Sequence, residues 1–304
     1  MNPLFSKILL FGEYSVMIGS KALTLPYRRF WGVLKFPDQN SNTVYTEWSN
    51  NELMKFLEFI RFRVEPGVFY LDLERFQNDI RQGIYFESNI PQQYGLGSSG
   101  ALVAAVFKRY GTDRLKLLDW ISLRNILAAS EGYFHGKSSG TDPLSIFIGD
   151  TVLYSQQNII SLKMSALMPM LENFYIYDTG VPSSTRELVA HFREKINSAA
   201  YRKKVEEYKF ITNTAIDCLL DKAEEKLGLS IRQLSEFQLS EFRKMIPESV
   251  RHLWQQGLDS DAYYFKLCGS GGGGYMLTYM NCQDLPTDIP ELKKFSKIVE
   301  YLYF

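Results

Sequence analysis

Pro91-Gln-Gln-Tyr-Gly95-Leu-Gly97-Ser98-Ser99-Gly100-Ala101 decides how this chain is read. It follows a strand candidate, Gly83–Ile90, and runs into Ala101–Tyr110, a small and apolar stretch without glycine that predicts a buried helix. Glycines let a backbone turn tightly and approach a ligand closely. The amides that open the following helix, with the helix dipole, favour an anion such as phosphate. Ser98 and Ser99 add hydroxyls that can donate to phosphate or bind a metal. A capped strand-to-helix turn accounts for the same residues. No lysine follows the last glycine, which excludes a Walker A loop. Gly95, Gly97 and Gly100 match G-x-G-x-x-G, but the expected acidic partner would fall near Asp119, inside a helical stretch. A dinucleotide-binding unit needs that acid at a strand end, so this assignment is rejected.

A second glycine-rich segment, Lys266-Leu-Cys268-Gly269-Ser270-Gly271-Gly272-Gly273-Gly274-Tyr275, lies between strand candidates Tyr263–Leu267 and Tyr275–Tyr279. Nearly continuous glycine is entropically costly unless the fold needs that backbone. A hairpin loop and an anion-facing nest of amides both fit. Cys268 reads as a small buried thiol.

Outward from these segments, strands are predicted at Lys7–Phe11, Gly32–Phe36, Asn42–Trp48, Phe69–Leu73 and Phe174–Asp178. Tyr14–Ile18 is a further apolar stretch, and Leu115–Phe134 reads as a helix. Ser145–Tyr154 and Asn158–Met164 read as a hairpin, and Ser184–Ile196, Ala199–Lys226 and Ser230–Met245 as helices. Strands and helices mixed in both halves predict an α+β chain in two layers. The boundary is placed near residues 165–168, giving domains 1–165 and 166–304.

The 304 residues balance 34 Lys and Arg against 34 Asp and Glu. That neutrality argues against broad nucleic-acid or anionic-membrane binding. No apolar run approaches the roughly 20 residues that cross a bilayer, and the N-terminus lacks a secretory pattern. Three scattered cysteines (Cys218, Cys268, Cys282) oppose a disulfide framework or structural zinc, and suit a reducing cytoplasm. His135, His191 and His252 show no metalloprotease spacing. Chemistry is thereby left to carboxylates, lysine, hydroxyls and glycine-rich backbone.

Glu131 and Asp142 taken singly are solvated carboxylates or turn-formers, and Asp142 precedes Pro143. Together they supply a metal ligand and a proton acceptor, as phosphoryl transfer requires. Lys7 opens an apolar strand, where an unpaired ammonium would be costly and a snorkelling one would not.

Lys7-Ile-Leu-Leu-Phe-Gly12-Glu13-Tyr14, the Pro91–Ala101 loop and Lys266–Gly274 together resemble the three motifs of the GHMP kinase superfamily, in order. Glu131…His135-Gly136…Ser139-Gly140-Thr141-Asp142 and Asp178-Thr179-Gly180-Val181-Pro182-Ser183-Ser184-Thr185 narrow the resemblance to its mevalonate kinase branch. The resemblance implies a two-domain fold with the active site in the cleft between domains. It implies ATP and Mg²⁺ as cofactors, a cytoplasmic enzyme of isoprenoid precursor synthesis and a mevalonate-like alcohol as substrate. A homodimer is compatible with it; nucleic-acid and membrane partners are not expected. It makes Asp142 the base and Lys7 its cationic neighbour, and gives Mg²⁺ to Ser99 and Glu131. Ser88, Gln93, Tyr94, Gly95, Leu96, Gly97, Ser98 and Ser99 would line the nucleotide. Glu13, Tyr14, Thr179, Gly269 and Ser270 would face the acceptor. Two positions depart from the family pattern: Tyr14 stands where histidine is usual, and Gly100 where alanine is. Phosphomevalonate kinase, which would draw on Arg28, Arg29 and Arg186, a sugar kinase, and a silent binding protein of the same fold are the competing readings.

Overall fold

Leu4–Phe11 (β1) opens the chain, and a 3₁₀ turn at Ser15–Ile18 leads into the long strand Ala22–Lys35 (β2). The computed structural model describes residues 2–64, 69–183, 185–281 and 294–302; Cys282 and Ser184 lie outside them, as does the side chain of Arg186. The chain divides into two units, neither of them one uninterrupted stretch. The first comprises Met1–Lys7, Arg28–Pro91 and Gly97–Gly149, the second Ile8–Tyr27, Gln92–Leu96 and Asp150–Phe304.

The first unit is mainly helical: Thr43–Arg63 (α1), Leu73–Arg81 (α2), Ser98–Tyr110 (α3), Trp120–His135 (α4) and Thr141–Ile148 (α5). Its strand Tyr85–Ser88 (β3) runs antiparallel to the end of β2, from Gly32↔Ser88 to Lys35↔Tyr85. The residues Ala101, Val103, Ala104, Ala105, Val106 and Phe107 of α3 are all buried, so this helix forms the unit's core.

Asn42–Trp48, expected as a strand, is the start of a helix. The Asn42 side chain accepts from the Tyr45 amide, an N-cap, and the buried positions Thr46, Ser49, Leu53, Phe56, Leu57 and Ile60 follow helical spacing. Aromatic Tyr45 and Trp48 favoured a strand, while the core-facing side begins with polar residues. Ser49 explains why: its hydroxyl donates to Phe86 O at 3.0 Å and accepts from Phe86 N at 2.9 Å, satisfying the edge of β3. Phe69–Leu73 is likewise not a strand. Leu71 makes one isolated bridge to Gly111, and Asp72 caps α2.

The second unit holds two antiparallel arrangements. Ala22–Thr24 of β2 pairs with Thr151–Tyr154 (β4), which forms a hairpin with Ile159–Leu162 (β5). The first part of the predicted hairpin, Ser145–Ile148, is instead the end of α5, stopped by left-handed Gly149. A four-stranded sheet has the order Tyr263–Leu267 (β7), Tyr275–Met280 (β8), Phe174–Asp178 (β6) and Phe295–Lys297 (β9). Every residue of β7 and β8 is buried. Helices Thr185–Ile196 (α6), Ala199–Leu220 (α7), Glu224–Glu241 (α8) and Glu248–Ser260 (α9) complete the unit. The α7–α8 break falls at Asp221–Ala223, where Lys222 is left-handed, rather than between Lys226 and Ser230. Among the described residues no helix is long and apolar enough to cross a membrane.

Candidate active site

Lys7, Asp142, Ser99 and Glu131 meet within the first unit. Lys7 is 3% exposed, and its Nζ lies 2.9 Å from Asp142 Oδ1. Burial therefore comes with a counter-charge, which an ammonium in such surroundings needs. Asp142 stands in the first turn of α5, entered through left-handed Gly140. Proline is tolerated in that turn, so Asp142-Pro143 opens a helix here, and the N-terminal dipole favours the carboxylate. The Asp142 side chain remains a third exposed, so it keeps access to an incoming proton donor.

The glycines of the loop owe their identity to these neighbours. A Cβ on Gly97 would stand 3.3 Å from Lys7 Cε, on a left-handed backbone. On Gly100 it would stand 2.8 Å from Pro143 N and 3.1 Å from Asp142 Cβ. Glycine at these two positions lets the start of α3 close against the Lys7–Asp142 pair.

Glu131 is buried on α4. Ser99 Oγ donates to its Oε1 at 2.8 Å, and Ser138 Oγ donates to its other oxygen. Ser99 Oγ also lies 3.0 Å from His135 Nε2. Burial, and next the negative charge of Asp142, push the Glu131 carboxyl up to about 7, against the pull of Ser138, Ser99 and Lys7. A divalent cation would relieve that penalty. The hydroxyl and carboxylate are hard oxygen donors and fit Mg²⁺, which keeps several waters and phosphate oxygens in its shell. The described residues contain no group of three or more His, Cys, Asp or Glu suited to a metal. His135 and Ser138 were not assigned roles from sequence. The signal for His135 was its position four residues after Glu131, on the same helix face.

Ser88 donates to Trp31 O and accepts from Ile90 N, both at 3.1 Å, fixing the strand end that precedes the loop.

The remaining predicted residues gather in the second unit, where the two glycine-rich segments meet. A Cβ on left-handed Gly95 would stand 2.9 Å from Cys268 O, and one on Gly274 would stand 2.7 Å from Tyr94 Cα. Tyr94 packs edge-on against Tyr275, and Gln93 O accepts from Ser183 N at 2.9 Å. Leu96 is fully buried beneath. Thr179 joins them, its Oγ1 donating to Gly274 O at 2.7 Å. The second glycine segment is thus a hairpin connection held against the first loop.

Glu13 and Tyr14 are both buried. The Glu13 carboxylate receives Lys266 Nζ at 2.5 Å. The Tyr14 hydroxyl donates to Ser270 O at 2.6 Å, beside left-handed Gly269, and its ring packs on Phe192 and Phe242. Desolvation, with Glu13 adding to it, holds the Tyr14 hydroxyl well above the ordinary phenol range, so it stays a donor. Lys266 went unassigned in the sequence because a lysine in a strand has no local mark of a partner far along the chain.

Residues 67–150 match a family model described as GHMP kinases N terminal domain. A mevalonate kinase of Pyrococcus horikoshii is 25% identical over 301 residues, covering 89% of this chain and 85% of the relative. The structure of L. major mevalonate kinase in complex with R-mevalonate superposes with a TM-score of 0.62 at 18% identity, covering 97% of this chain and 94% of that one. Streptococcus pneumoniae phosphomevalonate kinase superposes with a TM-score of 0.58 at 18% identity, covering 92% and 91%. The chain has the fold that these proteins share.

Proposed function

We propose that this chain is a GHMP kinase that catalyses ATP-dependent phosphorylation of the primary hydroxyl of mevalonate. The observation that carries the reading is the buried Lys7 paired at 2.9 Å with a part-exposed Asp142, beside the Ser99–Glu131 pair. Asp142 takes the proton of the acceptor hydroxyl as its oxygen forms the new bond to the γ-phosphorus and the bond to the leaving ADP oxygen breaks. Lys7 holds Asp142 in place and supplies positive charge near the transferring group. Ser99 and Glu131 would hold Mg²⁺, which supplies charge neutralisation at the phosphates when bound. The backbone from Gln93 to Ser99 cradles the nucleotide phosphates, with Ser88 on the strand before it.

The acceptor side is assigned to Glu13, Tyr14, Thr179, Gly269 and Ser270. Mevalonate has one carboxylate, an apolar middle and a primary hydroxyl, which calls for a few polar anchors and no large cationic cluster. Polar Thr179 and Ser270, with the buried aromatic packing around Tyr14, suit that balance. Phosphomevalonate would bring about two more negative charges toward Asp142 and be repelled. The relatives named for mevalonate phosphorylation support the choice.

The test is ADP release with mevalonate, phosphomevalonate and galactose as acceptors. Mevalonate is expected to give the highest kcat/KM. A higher value for either competitor would overturn the substrate, and no turnover of any alcohol would overturn the catalytic reading.

A further inference from the structure

Five groups close a buried hydrogen-bond circuit in the second unit. Lys266 Nζ donates to Glu13 Oε1 at 2.5 Å and to Leu267 O at 2.7 Å. The Leu267 amide donates to Gln238 Oε1 at 2.7 Å. Gln238 Nε2 donates to Tyr208 Oη at 2.8 Å, and the Tyr208 hydroxyl donates to Glu13 O at 3.0 Å. The circuit thus returns to the residue where it began. Glu13, Tyr208, Gln238 and Lys266 are all at most 2% exposed. One arc runs through the turn after β1, one through α7 and α8, and one through the end of β7, immediately before the glycine run.

Stability alone does not account for so much buried polarity. A buried ion pair gains little over apolar residues of the same volume, because desolvation offsets the attraction. Apolar packing, however, tolerates small slips, whereas a closed circuit is satisfied in one register only. What is being registered is the approach of the Gly12–Tyr14 turn to the strand end leading into Gly269 and Ser270. The Tyr14 hydroxyl adds a further tie across the same gap, to Ser270 O. The backbone of Tyr14, at φ 60° and ψ −41°, is one an L-residue rarely adopts, so it persists only where its surroundings fix it.

We propose that Lys266, Tyr208 and Gln238 are positioning residues for the acceptor side of the reaction, acting through Glu13 to hold the Gly12–Tyr14 turn and the Gly269–Ser270 backbone in one arrangement. This rests on the assignment of those two segments to acceptor binding. On this proposal the three residues act through protein partners alone, without touching the acceptor or the nucleotide.

The test uses Tyr208→Phe, which removes one hydroxyl and keeps the ring between Phe237 and Phe242. A second variant, Gln238→Met, removes the amide that ties the Leu267 N–H to the Tyr208 hydroxyl and leaves every residue assigned to the acceptor in place. In each, KM for mevalonate is expected to rise about three- to tenfold, the equivalent of one neutral hydrogen bond, with KM for ATP within about twofold of the parent. A role in stability alone would lower the melting temperature and leave the two KM values in their original ratio, overturning the proposal. Amide exchange followed by mass spectrometry gives a readout independent of the substrate. Gly12–Tyr14 and Cys268–Ser270 are expected to exchange faster in both variants while α3 does not change. Unchanged exchange in those two segments overturns the proposal whatever the acceptor proves to be. Absence of mevalonate turnover in the parent, by contrast, refutes the assigned function and leaves the exchange result to decide the coupling.

Discussion

Asp142→Asn keeps the shape of the side chain and removes its charge and its capacity to accept a proton. Two effects follow, and their sizes differ from those of Lys7→Met. In Asp142→Asn the Lys7 ammonium, whose side chain is 4% exposed, loses the carboxylate 2.9 Å away. Breaking a fully buried pair costs about 3–5 kcal/mol through the stranded charge. The Asp142 side chain is 34% exposed, so water can partly replace it and the cost falls to about 2 kcal/mol. At about 2–4 °C per kcal/mol, that is a melting temperature lower by about 4–8 °C. In Lys7→Met the charge left behind is the part-exposed carboxylate, which water solvates, and methionine fills the apolar site. Its loss should be under about 1 kcal/mol. Both variants should lose at least about a hundredfold in kcat, since one removes the proposed base and the other its charged neighbour. Calorimetric melting of the two variants, with kcat from ADP release, provides the check. Lys7→Met proving the less stable of the two would refute the burial argument. Near-parental kcat in Asp142→Asn would move the base elsewhere.

Glu131→Gln should raise the Mg²⁺ concentration needed for half-maximal rate, with partial rescue at high Mg²⁺, because a hard cation prefers a charged oxygen. The same variant should change how stability responds to pH without divalent ions. With its folded pKa at about 7, above its unfolded value, Glu131 keeps a proton that the unfolded chain has released. Its contribution is complete below the unfolded value and is lost as pH rises toward 7. Melting temperatures from pH 5 to 7.5 should therefore fall less steeply in the variant, and identical slopes would contradict this. Gly12→Ala places a Cβ 2.8 Å from Ala22 Cα and closer still to Ala22 Cβ, at a φ of +111°. Overpacking and backbone strain together should cost at least about 2 kcal/mol, read as a drop in melting temperature of about 4 °C or more.

The parts of the site legible in the sequence were those with short-range marks. Gly95, Gly97 and Gly100 announced a tight loop before a helix, though the contacts that require them, with Cys268, Lys7 and Pro143, are long-range. The roles proposed for Lys7, Glu131 and Asp142 rest on their resemblance to ordered motifs, because each residue alone is ambiguous. Asn42–Trp48 was misread because its aromatic residues favour a strand and its core face begins with Thr46 and Ser49, whose burial depends on hydrogen bonds. The hairpin expected from Ser145 lost its first residues to a helix whose start, Asp142-Pro143, imitates a turn. The Glu13–Lys266 pair was not legible at all. Nothing local to either residue identifies a partner 253 positions away, nor marks Gln238 as the amide between Leu267 N and the Tyr208 hydroxyl.

That separation has a consequence for synthesis of the chain. At about 5–20 residues per second, Glu13 is synthesised roughly 13–50 s before Lys266. Tyr208, the donor to the Glu13 carbonyl, follows 195 residues after Glu13, and Gln238 follows Tyr208 by another 30. Until then the Glu13 carboxylate lacks the Lys266 ammonium that meets it in the folded unit, which disfavours early burial of the adjoining apolar strand Ile8–Phe11. The second unit must therefore close late, once its last glycine-rich segment has been made. The nascent chain meanwhile carries an exposed, strongly apolar N-terminal strand, the kind of segment that chaperones hold and that aggregation exploits.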